Sequence, residues 1–247
     1  AILSIDSAIN QKPDNQKYQI LKADILIEFA KNEDAKELLL DLKLPNESIL
    51  FFQRQILLSK IFINQTEFGL AEKILLDLRK SFSKERILYL NLSDLYFKNK
   101  ALEKGILILK EGIKLFPNFI PLRFNLDVMY RNMGLLKLSI ETHIEILLKD
   151  QLNSNSFYEL STMYDFSNHN DQLKTLLNIE IENLSQKEKI YFCYSKANAY
   201  HNSKDYKKSE YFIKIANDEK LKIQPSDIQR KLNTGEYFRN LKIDQNL

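Results

Sequence analysis

Residues of the same kind return at a step of 34 along most of this chain. The clearest copy runs from Arg86 to Phe119. Its first half carries Tyr89, Leu92, Ser93 and Tyr96, and its second half Gly105, Leu109, Gly112 and Pro117. One step earlier, Leu58, Ser59, Phe62, Ala71, Leu75 and Leu78 hold those phases. One step later, Leu126, Tyr130, Ser139 and Ile146 do, with Gly134 between the halves. A unit this short cannot bury an apolar face alone, whereas stacked neighbours can. The recurrence therefore confines the fold to an array of similar small units.

The phases predict two helices per unit. Two helices cross closely only where small side chains meet, and Ser59, Ser93, Ala71, Gly105 and Ser139 are the small ones. Large apolar residues three or four positions away fill the space between units. Glycine inside a helix costs about 0.5–1 kcal/mol relative to alanine, so Gly105 and Gly112 read as packing choices. Pro117 stops the second helix, since it has no N–H for the ladder. With 5 Gly and 5 Pro in 247 residues, the turn content of a β-sandwich or barrel is missing.

The spacing of an aromatic residue, Leu-Ser in the place of Leu-Gly, then Tyr, a small residue, a large apolar residue and Pro resembles the tetratricopeptide repeat (TPR). The resemblance implies an all-α, right-handed superhelical solenoid of antiparallel helix pairs. Six repeats are expected, at about 16–51, 52–85, 86–119, 120–153, 154–189 and 190–221. In the fifth, the second helix is expected from Asp171 to Leu184, with a two-residue insertion. Residues 1–15 carry Ala1, Ile5, Ala8 and Pro13 on the phases of a second helix whose partner is absent, so the chain reads as a piece of a longer array. Residues 222–247, with Ile228, Leu232, Tyr237 and Phe238, read as a capping or connector helix. Between 1 and 222 no linker shows, and one continuous solenoid is expected.

The chemistry of catalysis is not visible. The five glycines are scattered and make no phosphate loop. No G-x-S-x-G elbow occurs. Cys193 is the single cysteine, which excludes an internal disulfide and a cysteine zinc site. It reads as a packed thiol. His143, His169 and His201 lie far apart without ligand spacing; His143 falls on an apolar helix phase and His169 in a turn. No metal or cofactor is expected. Glu141 and Glu145 lie one turn apart on a solvated face. The formal charge of +3 comes from 36 basic and 33 acidic side chains. Lys204, Lys207, Lys208 and Lys214 read as a solvated helix face, so nucleic acid is not an expected partner. No apolar run reaches the length that spans a bilayer, so no membrane insertion is expected, and the chain reads as cytoplasmic.

The resemblance places binding on the concave surface, lined by the second, fifth, ninth and twelfth positions of each first helix. On that frame the lining is Lys17, Ile20, Asp24 and Ile27, then Gln53, Ile56, Lys60 and Ile63. Ile87, Leu90, Asp94 and Phe97 follow, then Pro121, Phe124, Val128 and Arg131. The last two sets are Asn155, Tyr158, Thr162 and Asp165, and Tyr191, Tyr194, Asn198 and His201. Phe97, Phe124, Tyr158, Tyr191 and Tyr194 form an aromatic stripe, and aromatics are common anchors of a bound partner. The alternative is that curvature buries many of them as core. Lys17, Lys60 and Arg131 are too separated for the Lys, Asn and Arg clamp with which chaperone-binding relatives hold a peptide carboxylate. Asn91 and Asn125 share one phase and resemble two rungs of the asparagine ladder that grips a peptide backbone in some arrays.

Between Leu160 and Lys222 the chain is also similar to bacterial sulfotransferases that carry N-terminal TPRs. The residues are Leu160-Ser161-Thr162-Met163-Tyr164, Ser195-Lys196-Ala197, Lys204-Asp205-Tyr206, Ser209 and Ala216-Asn217, followed by Lys220 and Lys222. The phosphosulfate loop G-x-P-R-S-G-T of that family is not in the sequence. The leading expectation is a non-enzymatic scaffold that binds a protein or peptide segment in its groove. The alternative is an acceptor-recruiting module of a sulfotransferase whose catalytic domain, with its phosphosulfate donor, lies beyond residue 247. A third expectation is self-association through the bare N-terminal helix.

Overall fold

The structure is a computed structural model that describes residues 2–12, 15–46, 48–163 and 170–224. Among them it holds thirteen helices and no strand. After α1 (Ile2–Gln11) they pair as α2 (Gln16–Glu28) with α3 (Asn32–Asp41), α4 (Ile49–Asn64) with α5 (Phe68–Ser81), and α6 (Arg86–Lys98) with α7 (Leu102–Leu115). Then come α8 (Pro121–Asn132) with α9 (Leu136–Lys149), α10 (Ser154–Met163) with α11 (Asn170–Asn178), and α12 (Gln186–Asn202) with α13 (Tyr206–Ile223). The expected connector at 225–247, Pro13, Tyr164, Asp165 and His169 lie outside the described residues. No helix among the described residues is long and apolar enough to cross a membrane.

The helices begin where side chains satisfy the first backbone N–H groups. Ser48 accepts from the Phe51 N–H at 3.0 Å, so α4 starts at Ile49, three residues ahead of the repeat boundary drawn at about 52. Ser185 and Glu188 form a reciprocal capping box, so α12 starts at Gln186, ahead of the boundary drawn at 190. Pro121 opens α8, where its missing N–H costs nothing.

The chain divides into two compact units, Ala1–Thr142 and His143–Leu247. The sequence shows no linker there because the division falls inside α9. In the first unit, one apolar cluster joins α2, α3 and α4 through Ala23, Leu26, Ala35, Leu39, Leu58 and Ile61. A larger one runs from α4 to α8 through Phe52, Leu75, Leu88, Tyr89, Leu92, Leu109, Leu122 and Met129. The small-residue phases are buried: Ser59, Ser93, Ala71, Gly105 and Ser139. The serines solve their own burial, Ser59 donating to the Ile56 carbonyl and Ser93 to the Leu90 carbonyl. A Cβ on Gly105 would stand 2.6 Å from Met129 Cε, and one on Gly112 would stand 3.0 Å from the Tyr89 side chain. Buried Asp127, 1% exposed, accepts from the Ser139 hydroxyl and pairs with Arg131 at 2.9 Å.

In the second unit Phe157 and Phe192 meet at 5.8 Å beside buried Cys193 and Ala197. His143 is fully buried, its Nδ1 3.2 Å from the Ser156 hydroxyl. Helix α11 ends at Asn178, short of the expected Leu184. At that end the Lys196 ammonium, on a residue 5% exposed, donates to the carbonyls of Ile179 at 2.6 Å and Leu177 at 3.2 Å. Those are helix-end carbonyls, and a cation there satisfies them and suits the dipole.

Each hairpin turn that is described contains one left-handed residue. These are Ala30, Thr66, Lys100, Gly134 and Lys204, with φ between 56° and 72°. Only Gly134 adopts it without steric cost, and for β-branched Thr66 (φ 61°) the strain is greatest. Thr66→Gly is therefore expected to stabilise the chain by about 1 kcal/mol, net of the greater freedom glycine has when unfolded. Urea denaturation checks this, and an unchanged or lower midpoint would contradict the strain argument.

Candidate functional site

Helices α2, α4 and α6 follow one another side by side and border an open cavity of about 630 Å³. Its apolar walls come from Ile20, Leu21, Ile49, Phe52, Ile56, Leu57 and Ile87. Its polar groups are Lys17, Asp24, Gln53, Lys60 and Glu85. Helical spacing puts Lys17, Ile20 and Asp24 on one face of α2, and Gln53, Ile56 and Lys60 on one face of α4. The Lys60 ammonium meets Asp24 at 3.5 Å, each side chain about two-fifths exposed. Seven residues of the sequence-derived lining border this space: Lys17, Ile20, Asp24, Gln53, Ile56, Lys60 and Ile87. Ile63 does not; it is buried in the core.

A second cavity, about 220 Å³, lies between α6 and α8. Asp94, Phe97, Asn125 and Val128 line it together with Ser93 and Met129. Asn125 donates to the Ser93 hydroxyl at 2.9 Å, and Asp94 pairs with Lys98 at 3.3 Å. Asn91, expected beside Asn125 as a second rung, is turned inward. It is 8% exposed, and its amide donates to the Ile87 carbonyl of its own helix at 2.8 Å. Phe124 is half-buried on α8, and Arg131 is held by Asp127.

In the second unit Tyr158, Tyr191 and Tyr194 form one cluster. Tyr158 stacks on Tyr191 at 5.3 Å and tilts against Tyr194 at 6.0 Å. The three are half-buried, and the Tyr194 hydroxyl donates to Asn217 at 2.6 Å. Asn198 donates to the Ser161 hydroxyl at 3.0 Å. Thr162 is exposed and donates to its own helix at the Glu159 carbonyl. Thus an amide from one first helix ties to a serine of another in both units, Asn125 to Ser93 and Asn198 to Ser161. Sequence phases alone did not pick out this pairing.

None of these places assembles a nucleophile, base and oxyanion donor. Among the described residues no group of three or more His, Cys, Asp or Glu is placed to hold a metal ion. Burial pushes the Cys193 thiol up to about 11, away from the reactive thiolate.

No protein-family description matches the sequence, and no curated protein matches it. Solved structures do. The fold is similar to that of PilF from Pseudomonas aeruginosa, with a TM-score of 0.55 at 13% identity over 90% of this chain and 97% of that one. It is also similar to the human IFIT1 dimer solved with PPP-AAAA, with a TM-score of 0.54 at 13% identity over 91% of this chain and 59% of that one. The MamA RS-1 ArsTM double mutant gives 0.50 at 10% identity over 74% of this chain and all of the other (100%). These are tetratricopeptide proteins, and the fold here is an all-α helical-repeat solenoid of that type.

Proposed function

We propose that this chain is a non-enzymatic scaffold whose first helices bind a segment of another protein. The observation that carries the reading is the cavity between α2, α4 and α6: about 630 Å³, walled by apolar side chains and edged by a few charges. A peptide side chain entering it withdraws apolar surface from water, while Lys17, Gln53 and Glu85 orient its backbone. The charges are balanced, two lysines against Asp24 and Glu85, which suits a polypeptide better than a phosphate backbone. The smaller cavity at Phe97 and the tyrosine cluster of α10 and α12 supply further aromatic anchors.

The test uses peptides selected on the full chain from a displayed random library. Leu21 and Ile87 line the cavity yet are 49% and 41% exposed, so charging them leaves the core alone. Leu21→Glu with Ile87→Glu is expected to weaken the selected peptides by about tenfold or more, with the melting temperature unchanged. Equal binding by the double variant would move the site elsewhere, and no selected peptide at all would end the reading.

The sulfotransferase association rests on the residues between Leu160 and Lys222. Packing already explains several of them: Lys196 caps α11, Ser195, Ala197, Ser209 and Ala216 are buried, and Asp205 caps α13 through the Lys208 N–H.

A further inference from the structure

Four charged side chains border the large cavity, and they fall into two kinds. Asp24 and Lys60 hold each other at 3.5 Å where α2 meets α4. Lys17, in the first turn of α2, and Glu85, at the N-terminal cap of α6, have no ion-pair partner among the described residues. Glu85 is half-buried, and its side chain makes no capping bond to its own helix. The next residue, Arg86, is engaged elsewhere, its guanidinium 4.5 Å over the Phe119 ring. A charge at the edge of an apolar space has lost part of its hydration. A counter-charge brought in by a ligand therefore gains more there than on an open surface.

The two open charges stand on opposite walls. Lys17 is on the α2 wall and Glu85 on the α6 wall, with α4 between them. The cavity is thus positive along one side and negative along the other, with a neutral pair in between. Packed helices stand about 8–10 Å apart, so the two walls face each other across roughly 16–20 Å. An extended chain advances about 3.3 Å per residue, and two long charged side chains cover part of the span. That leaves about three or four residues between the charged ones.

We propose that the segment bound in this cavity is dipolar, with one acidic and one basic residue flanking a short aliphatic run. The acidic side chain takes Lys17, the basic one takes Glu85, and the aliphatic side chains lie against Ile20, Ile56 and Ile87. Asp24 and Lys60 satisfy each other and call for no charge from the partner. This inference rests on the reading of the cavity as a peptide site. It adds the partner's charge pattern, and which end of it meets α2 and which meets α6.

The test is a nuclear magnetic resonance titration of the full chain at low ionic strength, followed at the Ile56 methyl signals. The probes are blocked peptides with a core of three or four leucines and isoleucines, flanked by Glu and Lys in either order, or by two Gln, two Glu or two Lys. The better Glu/Lys peptide is expected to bind about fivefold more tightly than the Gln peptide, and added salt should remove most of that difference. Lys17→Glu leaves two carboxylates on the walls and should make the Lys/Lys peptide the tightest. Glu85→Lys should do the same for the Glu/Glu peptide, and the double exchange should restore the preference for Glu/Lys. Lys17 is exposed in a first turn, so its variant carries the test even if Glu85→Lys fails to fold. A Glu/Lys peptide no tighter than the Gln peptide, or an order of affinities unmoved by Lys17→Glu, would overturn the dipolar pattern. In that case binding that is still weakened by Leu21→Glu with Ile87→Glu would leave the peptide site standing. No shift at Ile56 with any of the peptides would overturn both.

Discussion

Tyr89→Ala is expected to lower the unfolding free energy by about 3–5 kcal/mol, the range for deleting a buried aromatic ring. The site gives reason to expect the upper part of it. The ring is wholly buried between α6 and α7, and Gly112 leaves no side chain to fall into the space. Loss of the hydroxyl also leaves the Ser83 carbonyl without that donor. Tyr89→Phe separates the two contributions and should cost only about 1 kcal/mol. Urea denaturation followed by circular dichroism measures both. A loss below about 1 kcal/mol for the alanine variant would mean that the hairpin closes over the space.

Alkali is expected to unfold the chain through two buried acids. Burial beside Glu72, which accepts from its hydroxyl, pushes Tyr96 up to about 12 from an ordinary 10.0. Burial pushes Cys193 up to about 11 from 9.0. In both cases the folded chain holds a proton that the unfolded chain has released. The stability they contribute is complete below the ordinary values. It drains away between pH 9 and 11 for Cys193 and between pH 10 and 12 for Tyr96. Each tenfold of proton affinity is worth about 1.4 kcal/mol, so the two together withdraw several kcal/mol. Lys196 has the opposite sign. Desolvation holds its ammonium below the usual 10.5, so its contribution grows as pH rises toward that value and partly offsets Cys193. Melting temperatures measured across pH 8 to 12 should fall steeply. Cys193→Ala should flatten the lower part of that fall and Tyr96→Phe the upper part. Parent-like slopes in both variants would show that other groups govern alkaline unfolding.

The hairpins were legible because close helix crossings admit few side chains. Ser59, Ala71, Ser93, Gly105 and Ser139 marked those crossings in the sequence, and each is buried. The lining of the large cavity was legible for a related reason: a fixed helical phase puts Lys17, Ile20, Asp24, Gln53, Ile56 and Lys60 on neighbouring faces. Asn91 was not, because a side chain that shares a phase with Asn125 can still fold back onto its own helix. The left-handed turns at Ala30, Thr66, Lys100 and Lys204 were hidden because only Gly134 carries the residue type that announces one.

The ties between first helices also differ in kind along the first unit. Between α6 and α8 the tie is an uncharged hydrogen bond, Asn125 to Ser93, which dissolved ions scarcely affect. Between α2 and α4 it is a half-exposed ion pair, Lys60 with Asp24, which added salt screens. Of the two ties, only the Lys60–Asp24 pair at the edge of the large cavity is therefore weakened by dissolved ions, while the apolar contacts of Ala23, Leu26, Leu58 and Ile61 hold α2 to α4 at any ionic strength.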